Sequence, residues 1–132
     1  MPLTARSLVG RVSPQVLGLA RTGVGLSMLV RPGLVPAVLG VDAPARSAMA
    51  WAMQMLGARE IAVGLGGAAA ARQGDPGTAR AWLAAGLLCD AVDAVAVANA
   101  VGRGRLQPVA GGALIAAAVA ATALQAAALG RR

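Results

Sequence analysis

Long apolar runs, each cut off by a short polar or turn-forming cluster, divide the chain into four blocks. The first covers about residues 14–30 and is interrupted only by Gln15, Arg21, Thr22 and Ser27. The second, about 47–71, is mostly Ala, Met, Leu, Val, Ile and Gly, with Arg59 and Glu60 near its middle. The third, about 79–101, carries Asp90 and Asp93 at its midpoint. The fourth, about 108–129, has only Thr122 and Gln125 as polar interruptions. No block alternates with the period of two that a strand or barrel needs. Each has roughly the 17–25 residues that a helix needs to cross a bilayer. The pattern therefore predicts an all-α protein, a four-helix transmembrane bundle with both termini on the same side.

The punctuation between blocks supports helices. Ser13 followed by Pro14 suits a capped helix start, because Pro fits the first turn. Arg31-Pro32-Gly33 ends the first helix, since Pro disfavours helix in the residue before it. Leu34 to Val41 is a short apolar piece suited to the membrane interface. Asp42-Ala43-Pro44 reads as a cap and a helix start, and Arg72 to Gly77 as a turn. Thr78 is the expected cap of the third helix. Gly102-Arg103-Gly104-Arg105 closes that helix, and Pro108 opens the fourth. Residues 1–13 then form an N-terminal cytoplasmic or interfacial tail, and 14–130 the membrane domain. Trp51 and Trp82, each near a helix start, are placed as interfacial anchors.

Composition adds the solvent. Apolar residues make up 58% of the chain and charged ones 13%, about half the share usual in soluble domains. So few charges cover little of a water-facing surface, which makes the lipid bilayer the expected partner, with a soluble Ala-rich helical bundle as the alternative because Ala lies near neutral between water and lipid. All 12 basic residues are Arg, and the net charge is +7. They lie singly or in pairs between apolar runs, with no basic stripe and almost no aromatic residues for base stacking, so nucleic acid is excluded as a partner. Arginines at helix ends near headgroups account for them. Arg6, Arg11, Arg72, Arg80, Arg131 and Arg132 fall on the terminal side, against Arg31, Arg46, Arg103 and Arg105 on the other. That bias predicts a multi-pass protein of the cell inner membrane with cytoplasmic termini.

Conventional catalytic chemistry finds no foothold. The chain has no His. Its serines lack a triad-type base. The lone Cys89 suits a small buried hydrophobe, and the methionines suit packing. Gly64-Leu65-Gly66-Gly67 lacks the strand and Lys-Ser/Thr of a phosphate loop. No catalytic residue, metal site or cofactor is expected, and the protein is not expected to be an enzyme.

What remains is five ionisable residues inside apolar blocks. A charge at the bilayer centre costs at least ~2.5–3.5 kcal/mol on insertion scales, so such residues face inward and pair. Helical spacing puts Gly18, Arg21 and Gly25 on one face of the first helix. It puts Gly57, Glu60 and Gly64 on one face of the second, and Gly86, Asp90 and Asp93 on one face of the third. Small residues let membrane helices approach closely, which buried charges need. Arg59 and Glu60 are neighbours and point about 100° apart, so their partners are expected on other helices. Arg59 suits Asp90 or Asp93, and Arg21 the other Asp or Glu60. Three acids against two arginines leave one acid short of a partner. The plainer expectation is that the network is structural and fixes helix register; if it does more, Glu60, Asp90 and Asp93 are the candidates for holding a mobile proton or a ligand.

Taken together, Arg21-x-x-x-Gly25, Pro32, Gly57-Ala58-Arg59-Glu60-x-x-x-Gly64 and Trp82-Leu83-x-x-Gly86-x-x-x-Asp90-x-x-Asp93 resemble small four-helix membrane proteins of unknown function. These are common in actinobacteria and distantly similar to the DoxX-type family. The resemblance covers about residues 16–130. It implies the same fold, marks Arg21, Arg59, Glu60, Asp90 and Asp93 as signature residues, and implies no activity. The function expected is an accessory subunit of a bacterial envelope complex, working within a larger membrane assembly or homo-oligomer. The alternative is a proton-coupled carrier or binder of a small lipophilic molecule.

Overall fold

The computed structural model describes residues 13–129, and they are helical almost throughout, with no strand among them. Among the described residues there are five helices: α1 Pro14–Val30, α2 Leu34–Val38, α3 Ala43–Gln73, α4 Pro76–Gly102 and α5 Pro108–Leu129. The tail of residues 1–12 lies outside the described residues. So do Arg6, Arg11, Arg131 and Arg132, on which the charge bias partly rests.

Local chemistry sets the ends. The Ser13 hydroxyl accepts from the Val16 N–H at 3.2 Å. An Asp42 carboxylate oxygen accepts from the Ala45 N–H at 2.8 Å. The cap of α4 is Asp75 rather than Thr78. One Asp75 oxygen accepts from the N–H groups of Gly77 and Thr78 at 3.0 and 3.1 Å. The helix gains this extra turn because Pro76 needs no N–H partner in the first turn. Gly74 ends α3 at a φ of 69°, a left-handed position that Gly fills without a Cβ clash. The connection between α3 and α4 is thereby reduced to Gly74 and Asp75.

The four long helices run alternately up and down. Gly18 meets Gly64, and Gly25 meets Gly57, so α1 and α3 are antiparallel. Trp82 lies on Gly66, pairing α3 with α4, and Val101 lies on Gly111, pairing α4 with α5. Packing is closest between α1 and α3 and between α4 and α5, and slight between α1 and α5. At one end the two pairs are clasped: the Gln107 N–H donates to the Leu39 carbonyl at 3.1 Å. Beside it, Pro36 of α2 is fully buried.

Trp82, expected at the interface, packs against a neighbouring helix. Its ring lies over Gly66 and is partly covered by α3. Trp51 does project outward. The buried apolar core is small and consists of Leu39, Ala68, Ala70, Ala79 and Leu83, while large aliphatic side chains face outward on every long helix. By length and apolarity, two helices qualify to cross a membrane, Pro76–Gly102 and Pro108–Ala127. The other two long helices do not. α1 has 17 residues, and Gln54, Arg59 and Glu60 dilute the centre of α3.

Candidate polar network at the helix centres

The site begins with the fit between α1 and α3. A Cβ added to Gly18 would lie 2.5 Å from the Gly64 carbonyl oxygen, and one on Gly64 would lie 2.5 Å from that of Gly18. The second crossing is alike: 2.5 Å from Gly25 to the Gly57 oxygen, and 2.7 Å in reverse. The two glycines on each helix are two turns apart. Between them, three residues after the first glycine, α1 carries Arg21 and α3 carries Glu60. The helices thus share a Gly-x-x-charge-x-x-x-Gly pattern with opposite signs, and the antiparallel register brings the charges together. Arg21 Nε lies 2.5 Å from Glu60 Oε2. The Nε–H bond is not aimed along that line, so the contact is an ion pair without a hydrogen bond from this atom.

The Arg21 guanidinium also reaches α4. Its Nη1 donates to Asp90 Oδ2 at 3.1 Å, and its Nη2 pairs with Asp90 Oδ1. Gly86 makes room for this. A Cβ there would meet Arg21 Nη1 at 2.9 Å and would also strike the Gln125 amide oxygen. The role of Gly86 is therefore to admit polar side chains. It does not bring two backbones together as Gly18 and Gly64 do.

Arg59 forms the other half. Its Nη1 and Nη2 donate to Asp93 at 3.2 and 2.5 Å. Contrary to the expectation from helical directions, Arg59 also pairs with its neighbour: Nη2 donates to Glu60 Oε1 at 2.9 Å. The Cβ atoms do diverge, but the long Arg59 side chain bends back far enough to close the gap. Glu60 therefore bridges the two guanidiniums, and the five residues form one chain, Asp90–Arg21–Glu60–Arg59–Asp93. No acid is without a partner, although the partners are unequal.

Gln125 is a further member that sequence reasoning passed over. Its Nε2 donates to Asp90 Oδ2 at 2.6 Å, and the residue is buried. The signal was available: a long amide side chain within an almost wholly apolar helix needs a partner.

Exposure grades along the network. The side chains of Glu60, Arg21 and Asp90 are 9%, 12% and 13% exposed, those of Arg59 and Asp93 31% and 39%. The inner end is closed, and the outer end opens onto the surface. There Arg59 borders a shallow groove of about 380 Å³, lined also by Trp51, Ala52, Met55 and Leu56. Among the described residues, no three His, Cys, Asp or Glu side chains are grouped to hold a metal ion.

A family model described as a domain of unknown function, DUF4267, matches residues 18–126. The matched span takes in both glycine crossings and every member of the network. No curated protein and no solved structure matches the chain.

Proposed function

Since the chain belongs to the DUF4267 family, whose function is unknown, we propose its role from the site itself. The protein is an integral membrane protein whose four long helices cross the bacterial inner membrane with cytoplasmic termini. It serves as an accessory subunit of an envelope complex. The likeness to DoxX-type proteins belongs to the same reading.

The observation that carries it is the open Arg59–Asp93 pair on an otherwise apolar outer face. Met55 and Trp51, one and two turns from Arg59, are each 65% exposed. Arg59 lies about 21 Å along α3 from Gln73 and about 24 Å from Ala43, at 1.5 Å per residue. A half-exposed ion pair at that depth is poorly solvated by acyl chains, and a partner's surface covers it better. The inner half of the network, closed around Arg21, fixes the register of α1, α3 and α4 so that this face is presented intact.

Purification in mild detergent tests the proposal. The full chain is expected in the membrane fraction, together with a larger membrane protein in fixed stoichiometry. Recovery as a monodisperse species from the aqueous fraction without detergent would end this reading.

A second reading is favoured by the surplus of one carboxylate in the network. A carrier that couples a small lipophilic molecule to a proton would use that surplus. In proteoliposomes, Asp93→Asn or Glu60→Gln would then abolish flux while the helices stay folded. Flux by the protein alone would displace the subunit role.

A further inference from the structure

We infer that the open end of the network, at Arg59 and Asp93, receives a transmembrane helix of a different protein that presents a basic side chain at the level of Asp93. The inference rests on the membrane-subunit reading and names the partner's chemistry.

Charge counting gives the first part of the argument. Three carboxylates, Glu60, Asp90 and Asp93, share two guanidiniums. The shortfall is not spread evenly. Glu60 is paired with both arginines. Asp90 takes two contacts from Arg21 and one from Gln125. Among the described residues Asp93 has Arg59 alone, and Arg59 is shared with Glu60. The carboxylate with the fewest donors is also the most exposed of the five side chains, at 39%. The carboxylate most open to a further donor therefore lies at the surface, where another molecule can meet it.

The surroundings specify the kind of molecule. Trp51, Met55 and Arg59 follow one another at four-residue steps on α3, and Ala52 and Leu56 complete the groove beside them. An apolar row that ends at Arg59, itself paired with Asp93, matches a helix with apolar contacts and one charged residue. The sign follows from the surplus. A second copy of this chain would bring another uncompensated carboxylate, so equal excesses would oppose each other. A neutral helix would leave the charge unpaired. An Arg or Lys balances the count and gives Asp93 the donors it lacks, which is how ionisable groups persist within membranes.

The experiment uses the full-length protein in phosphatidylcholine vesicles with a labelled polyleucine transmembrane peptide as probe. The peptide carries Arg, Leu or Glu at its centre, and association is read by energy transfer. The Arg peptide is expected to bind at least tenfold more tightly than the Leu peptide, and the Glu peptide no better than Leu. Asp93→Asn is expected to remove the preference while helicity and melting in the vesicles stay as in the unaltered protein. Asp90→Asn would unsettle the closed half, so a surface variant, Asp42→Asn, serves as the control that keeps the preference. Equal binding of the three peptides, or a preference that survives Asp93→Asn, would overturn the inference and leave the membrane reading standing. So would self-association of the protein that excludes the Arg peptide, or tetraphenylphosphonium binding at Asp93 with no discrimination among the helices. Failure of the protein to insert into vesicles at all would remove the membrane reading itself, and this inference with it.

Discussion

Gly18 and Gly64 touch backbone to backbone: a Cβ on either would lie 2.5 Å from the other's carbonyl oxygen. Neither oxygen belongs to a flexible side chain, so neither can swing away. Gly18→Ala and Gly64→Ala are therefore expected to push α1 off α3, at about 1–3 kcal/mol or more. Gly23, on the same helix as Gly18, has open space where its Cβ would be. Gly23→Ala is expected to be neutral or to stabilise by up to ~1 kcal/mol through helix propensity. Unfolding by denaturing detergent in mixed micelles would check both, and equal effects at the two positions would contradict the crossing.

The two arginines should differ in cost. Arg21→Ala leaves Glu60 and Asp90 facing each other near the closed end, a change in the range of about 3–5 kcal/mol for a broken buried pair. Arg59→Ala removes a partner at the open end and is expected to cost clearly less. Adding Asp90→Ala to Arg21→Ala should restore part of the loss, since it removes one of the stranded charges. The folded fraction of each variant after membrane extraction gives the order.

Gln125→Leu should be costly for its size. It deletes the amide that donates to Asp90 at 2.6 Å, and an abandoned buried acceptor costs about 1–3 kcal/mol. Thr122→Val, a polar change one turn away on the same helix, should cost less. Thermal melting in detergent would distinguish them.

Acid should weaken the start of α4. Hydrogen bonding by Thr78, chiefly from its side chain, holds the Asp75 carboxylate below its ordinary pKa. A pKa depressed by folding means the charged form stabilises the fold. That contribution is complete above the unfolded-state value, and it fades as pH falls through the folded-state value. Asp75→Asn keeps a capping acceptor but cannot titrate there. The melting difference between the unaltered protein and Asp75→Asn should shrink as pH drops below the carboxylate range. A constant difference would show that the charge contributes nothing.

Much of this arrangement is legible in the residues before any coordinates. Steps of three and four place Gly18, Arg21 and Gly25 together whatever the partner, as they do Gly57, Glu60 and Gly64. The sequence left open which arginine meets which acid, because that depends on the register between helices. The glycine crossings decide it, setting Arg21 against Glu60 and Asp90 and leaving Asp93 to Arg59. The pairing of Arg59 with Glu60 was missed because Cβ direction says little about where a long guanidinium arm ends. Gln125 was missed because a single amide in an apolar helix does not reveal what it faces. The reading of four membrane spans rested on the length and apolarity of each run, and α3 falls short because Gln54 interrupts its centre in addition to Arg59 and Glu60.

The glycine crossings stand on either side of the Arg21–Glu60 pair, and this restricts how the first and third helices can move. A slide of one along the other would drive side chains into the two narrow points and part the charges in the same stroke. Rotation of the two together disturbs neither. Rearrangement must therefore carry this pair as a single rigid strut, with the motion taken up against α4 and α5.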